Sequence, residues 1–135
     1  MADDLNARLQ AIKLMAFDVD GVLTDGRLFY TDDGVETKTF HAYDGQGMNM
    51  LREAGIKVAL ITSRRSPLVE RRARDLGAMT RAGFAATVAA APEAVRARSH
   101  YIAKRGGGDG AVREVCELIL SAQGLLDGII AGYLK

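Results

Sequence analysis

The sequence is short of nearly everything that would place it outside the ordinary globular class. Cys116 is its one cysteine. No disulfide can close within the chain, which fits a reducing, cytoplasmic setting. Two prolines, Pro67 and Pro92, leave no Pro-rich linker. Charge nearly cancels, with 18 Lys and Arg against 17 Asp and Glu for a net +1. That balance excludes the strong global field by which a protein takes nucleic acid or an anionic membrane surface as partner. The two histidines, His41 and His100, show no metal-ligand spacing. Asp3 and Asp4 precede any apolar run, which is the wrong opening for a secretory signal. The most apolar stretch, Leu118 to Leu134, is broken by Gln123, Asp127 and the glycines 124, 128 and 132, too short and too interrupted to cross a bilayer.

What remains is a chain of 135 residues, 48% hydrophobic and 26% charged, without internal repeats. At roughly 150 residues per domain it is one domain, and its composition argues against disorder. Leu5, Leu9 and Ile12 recur at helical spacing, so 3–12 reads as a short amphipathic helix. Lys13 to Val19 reads as a buried strand. Leu28 to Phe40 reads as a hairpin, two β-prone runs around Thr31-Asp32-Asp33-Gly34. Asp44 looks like the N-cap of a helix carrying Met48, Leu51 and Ala54 on one face and stopped by Gly55. Ile56 to Ile61 is a second buried strand. Ser66-Pro67 opens a helix that runs to Gly77. Strand, helix, strand, helix is the alternation of α/β proteins with parallel sheets. Further on, strands are expected within 84–91 and 100–103, with a helical turn over 92–98. Ala111 to Gln123 is the best helix, with Val112, Val115, Ile119 and Ala122 on one face and Gly124 as its stop.

The main chemical signal is Phe17-Asp18-Val19-Asp20-Gly21-Val22-Leu23-Thr24-Asp25-Gly26. Two aspartates two residues apart at the end of a buried strand are costly unless they bind something. In open parallel sheets, ligands sit at the carboxyl ends of the strands. Such a pair can hold Mg²⁺, which keeps few protein ligands and several waters. One carboxylate can attack phosphorus. The other can protonate the leaving oxygen and later activate water. Thr62, Ser63 and Arg64 end the second strand, where a hydroxyl can take a phosphate oxygen and Arg64 adds charge suited to an anion. His41 to Gly47, with Asp44 and Gly45, opens a helix and is either an anion site at a helix N-terminus or a simple cap and turn. Arg105 to Gly110 is no Walker A loop, and reads as a hinge or a phosphate nest. Cys116 reads as a core residue.

Together FDVDGVLTDG, the Asp-Gly hairpin, FHAYDGQGM, ALITSRRS and the C-terminal GGGDGAVREVCELILSAQG resemble the capless subclass of the haloacid dehalogenase superfamily, and within it the family of 3-deoxy-D-manno-octulosonate 8-phosphate phosphatases. The resemblance implies a Rossmann-like, three-layer parallel sheet with a hairpin flap over 28–40 and a tail over 124–135. It implies Mg²⁺-dependent hydrolysis of a small phosphorylated sugar acid through an aspartyl-phosphate, on the route to lipopolysaccharide. Asp18 matches the nucleophile and Asp20 the general acid/base. Both match metal ligands, Asp18 by its carboxylate and Asp20 by its carbonyl. Thr62 matches the phosphate-binding hydroxyl, with Ser63 where glycine is more usual, and Arg64 a substrate-side arginine. Relatives form homotetramers whose hairpins pack together, a neighbour's tail closing each site; Leu28 to Phe40 and Gly106 to Gly110 match those parts.

The chain departs from the family after Leu76-Gly77-Ala78. There the family carries a strand, a loop lysine, a helix and a strand ending in an acidic motif, whereas this sequence continues directly with Met79-Thr80-Arg81. More than one strand–helix unit, roughly 30 residues or more, is missing, so the sheet is shortened. In the family the lost lysine stabilises phosphate charge and the lost acids complete the Mg²⁺ site. Neither Lys57 nor Lys104 matches that lysine; Asp109 could approach a site from a neighbour's tail. Two functions follow: the phosphatase itself, or a shortened, catalytically impaired relative acting as an oligomeric binding or scaffold protein. With the missing strands gone, the strand bearing Asp18 becomes an edge that another strand, from within 84–91, is expected to cover.

Overall fold

The computed structural model describes residues 2–61 and 81–135. The helix expected from Ser66 to Gly77, and the site candidates Thr62, Ser63 and Arg64, lie outside the described residues.

The α/β alternation is present. Helix α1 (Ala2–Gln10) leads into strand β1 (Leu14–Asp18). The hairpin β2 (Phe29–Tyr30) and β3 (Glu36–Thr37) follows, and its turn closes through Thr31, whose hydroxyl accepts the Val35 N–H at 3.0 Å. Helix α2 (Ala42–Glu53) then carries the chain to β4 (Lys57–Ile61), which pairs in parallel with β1 and sets Asp18 opposite Ile61. The second half holds β5 (Ala86–Val88), the one-turn helix α3 (Glu93–Arg96) and β6 (Tyr101–Ala103), again a parallel pair. Helix α4 (Ala111–Ala122) and helix α5 (Leu126–Tyr133) finish the chain. The sequence pattern gave no hint of α5, because its apolar residues are interrupted by Gly128 and Gly132, both poor helix formers. No single helix among the described residues is long and apolar enough to cross a membrane; α4 and α5 together reach the length but bend by 117° at their junction.

The core lies where α1, α2 and α4 meet the strands. Phe17 of β1, Val88 of β5 and Ala103 of β6 pack with Leu9, Met50, Leu51, Val112, Val115, Cys116, Ile119 and Leu120. Gly47 lets α2 and α4 come close: a Cβ there would stand 3.1 Å from the Cys116 Cβ. Cys116 is fully buried, and burial pushes its thiol up to about 12, so it is the inert core residue that its helix position suggested.

Three expectations are corrected. First, β1 and β4 are not buried on both faces: Leu14, Leu60 and Ile61 are at least half exposed. Second, β5 does not cover the edge of β1. It is bound to β6 through the Ala86–Tyr101 register and through the His100 N–H on the Ala85 carbonyl. Among the described residues the parallel sheet therefore comes in two halves, and a cavity of about 660 Å³ separates them, with β1 on one wall, Phe84 to Val88 on the other, and Ala111, Val112 and Val115 at its base. Third, α2 is capped by His41, whose Nδ1 accepts the Tyr43 N–H at 3.1 Å, and not by Asp44.

Glu114 ties β6 and the loop after it to α4. Its carboxylate accepts the Tyr101 hydroxyl at 2.6 Å and the backbone N–H groups of Lys104 and Arg105 at 2.9 Å. Burial pushes Glu114 upward, but these hydrogen bonds and the Lys104 charge outweigh it, leaving the carboxyl below its ordinary range. Burial and the same hydrogen bond raise Tyr101 to about 12. A depressed carboxyl stabilises the fold above its unfolded value of 4.5 and loses that contribution as pH falls through the folded value. Tyr101, with its raised value, contributes below pH 10 and loses that as pH rises through about 12. Thermal melts across acid pH should therefore fall more steeply for the native chain than for Glu114→Gln. At pH 7 that variant should be less stable by about 1.5–3 kcal/mol, the worth of hydrogen bonds to a charged group.

Candidate active site at the carboxyl end of β1

β1 ends at Asp18, and the chain must leave the sheet at once. It does so in a wide turn over Val19–Leu23, closed by the Thr24 N–H on the Val19 carbonyl at 3.0 Å. Asp20 keeps an extended backbone, and Gly21 turns the chain at φ 84°, a left-handed value that a side chain would strain. The Asp18 carboxylate accepts the Val19 N–H at 2.9 Å, which fixes its orientation. Thr24 is buried and works as a staple: its Oγ1 accepts the N–H groups of Gly21 at 3.2 Å and Gly26 at 3.1 Å. Asp18, Asp20, Gly21 and Asp25 stand together along one end of the cavity between the sheet halves.

The glycine loop between β6 and α4 presses on this turn. The Gly108 N–H donates to the Val22 carbonyl at 3.1 Å. A Cβ on Gly107 would overlap the Gly21 carbonyl and stand 2.8 Å from the Thr24 oxygen; one on Gly108 would stand 2.6 Å from the Asp25 nitrogen. The loop, read from sequence as a hinge or a phosphate nest, is packed against the turn. Within the chain it makes a backbone-to-backbone contact that only glycine permits. Asp109 is exposed and does not line the cavity.

Asp44 and Gly45 stand in the first turn of α2. Neither lines the cavity. Asp44 is buried and accepts the Arg113 N–H at 2.9 Å, in the first turn of α4. Gly110 at the head of that helix has no side chain to cap it, and Asp44 supplies the missing acceptor from α2. The Gly45 N–H is taken by the His41 carbonyl.

Sequence reasoning missed Lys38. It stands just past β3, and its Nζ lies 2.9 Å from the Asp20 Oδ1, with both side chains less than a fifth exposed. The two Asp20 oxygens are buried and accept no well-aligned hydrogen bond, so the ammonium is the one described charge that faces this carboxylate. No local signal could have found the pair, since the two residues are joined only by the folding of the hairpin over the turn.

Asp18 and Asp20 offer hard oxygen donors on one short turn. The set suits a cation that keeps most of its waters. Among the described residues no group of three or more acidic, histidine or cysteine side chains forms a complete cage.

No family model matches the chain. It is 34% identical to the 3-deoxy-D-manno-octulosonate 8-phosphate phosphatase of Yersinia pestis, over 95% of this chain and 90% of that protein. The same phosphatase of Haemophilus influenzae is 36% identical, over 89% of each chain. The Yersinia alignment runs over 168 positions against the 135 residues present here, so at least 33 of its positions have no counterpart in this chain. Among solved structures, that of the Moraxella catarrhalis phosphatase in complex with magnesium, phosphate and a KDO molecule superimposes with a TM-score of 0.88 at 36% identity, covering 98% of this chain and 99% of that one. The cobalt-bound form of the Haemophilus influenzae phosphatase gives 0.81 at 32% identity, covering 95% and 99%.

The contact between loop and turn gives a sharp expectation. Gly107→Ala should destabilise the protein by about 3 kcal/mol or more, since backbone on both sides must shift. Gly106→Ala, where a Cβ meets nothing within 4 Å, should melt like the native chain. Equal melting temperatures for the two variants would contradict the packing described.

Proposed function

The chain belongs to the 3-deoxy-D-manno-octulosonate 8-phosphate phosphatase family of the haloacid dehalogenase superfamily, and from that premise we propose that it hydrolyses this sugar-acid phosphate with Mg²⁺. The observation that carries the reading is the placement of Asp18 and Asp20 on a turn fixed by Thr24 and the glycine loop, at the mouth of a cavity.

In this proposal Asp18 attacks phosphorus, and the bond from phosphorus to the sugar oxygen breaks. Asp20 gives its proton to the leaving oxygen and then takes one from the water that cleaves the aspartyl-phosphate. Mg²⁺, held by the Asp18 carboxylate and the Asp20 carbonyl, supplies neutralising charge for the phosphoryl oxygens. Thr62, Ser63 and Arg64, outside the described residues, are assigned to the phosphate and substrate side. The Val19 N–H on Asp18 holds the nucleophile's plane, and the Thr24 staple keeps both carboxylates on one short turn.

A second reading has its own support. The positions absent relative to the Yersinia protein and the lack of a three-acid cage among the described residues favour an impaired relative that persists as a binding or scaffold protein. Phosphate release from 3-deoxy-D-manno-octulosonate 8-phosphate separates the two. The phosphatase reading expects Mg²⁺-dependent turnover that Asp18→Asn lowers by more than about 10³-fold. A folded native chain with no more release than Asp18→Asn would leave the scaffold reading.

Either reading uses the hairpin as a contact between copies in a homotetramer. Phe29, Tyr30, Val35 and Phe40 are each more than half exposed on this one flap, a cluster suited to association. Native mass should show an assembly that Phe29→Glu dissociates; a monomeric native chain would remove the hairpin from this role.

A further inference from the structure

The hairpin does more than present an apolar edge. It carries Lys38 inward to Asp20. We propose that Lys38 is a phosphate-binding residue, its ammonium leaving Asp20 in part to contact a phosphoryl oxygen of the bound substrate; this rests on the phosphatase reading above. The geometry sets the reach. An oxygen that takes a proton from Asp20 lies about 3 Å from it. Lys38 Nζ lies 2.9 Å from the same carboxylate. The ammonium is therefore within about 6 Å of a leaving oxygen that is protonated from Oδ1, and within about 8 Å of one protonated from Oδ2, distances that a rotamer change along four methylenes can shorten.

Charge argues the same way. A phosphate monoester brings two negative charges to a cavity end already occupied by Asp18, Asp20 and Asp25. Lys38 is the described cation at ion-pair distance from one of them, Asp20. Its pairing with Asp20 also lacks hydrogen-bond alignment, so moving toward a phosphate oxygen gives up charge proximity but no well-made bond.

A purely structural role for Lys38, neutralising Asp20, predicts different behaviour in one genetic background. Binding of inorganic phosphate in the presence of Mg²⁺ is measured by calorimetry for the native chain, Lys38→Met, Lys38→Arg, Asp20→Asn and the Asp20→Asn/Lys38→Met pair. In the Asp20→Asn background no carboxylate is stranded when the lysine is removed, so the double variant can fold. The expected result is at least tenfold weaker phosphate binding in Lys38→Met and a similar loss from Asp20→Asn to the double variant, with Lys38→Arg closer to native. Equal affinity of Asp20→Asn and the double variant overturns the proposal and leaves the phosphatase reading standing. A loss already complete in Asp20→Asn also overturns it, since the ammonium would then act only through its carboxylate. A native chain that binds no phosphate overturns the phosphatase reading itself, and Lys38 with it.

Discussion

Two stretches of bare backbone, 86 positions apart in sequence, hold the site together: Gly21 and the glycine loop at Gly107 and Gly108. No side chain could stand between them. Everything near the aspartates follows from that contact. Thr24 staples the turn from inside, Gly108 hydrogen-bonds its outer rim, and Glu114 pins the start of the loop to α4. Asp44 completes the chain of dependence by capping α4, the helix on which the loop ends. Asp18 and Asp20 are thus oriented by elements from both ends of the sequence, none of which is itself chemically reactive.

This arrangement explains how the turn keeps its form in a shortened chain. At least 33 positions of a relative have no counterpart here, and a cavity stands between β1 and β5. A strand edge beside such a space costs backbone hydrogen bonds and apolar burial. Yet the contacts that shape the turn run through α4 and the glycine loop, on the carboxyl side of β1, and do not pass through the space between the sheet halves. The loss falls on the sheet and on the exposed faces of Leu14, Leu60 and Ile61. The described hydrogen bonds that shape the turn around Asp18 and Asp20 are made elsewhere.

Local pattern made much of this legible. β1, β4, the hairpin, α2 and α4 follow from apolar periodicity and turn residues, and the paired aspartates follow from their place at a strand end. What could not be read depends on partners distant in sequence. Asp44 looked like the cap of its own helix because Asp is a good cap; His41 holds that place, and Asp44 caps α4 69 residues away. The 84–91 strand looked free to cover β1, but its register belongs to β6. Lys38 sits in an unremarkable polar run, and only the fold of the flap brings it to Asp20. The glycine loop's composition allowed a hinge or a nest, and composition alone carries no information about the turn lying beneath it.

The central claim is the proposed role of Asp18, on its glycine-locked turn, as the phosphoryl acceptor. Crystals grown with Mg²⁺ and beryllofluoride, a mimic of an aspartyl-phosphate, test it most directly. The account predicts a beryllofluoride group on a carboxylate oxygen of Asp18, with Mg²⁺ about 2.1 Å from that carboxylate and from the Asp20 carbonyl. An intact turn with Asp18 bare under the same conditions would contradict it.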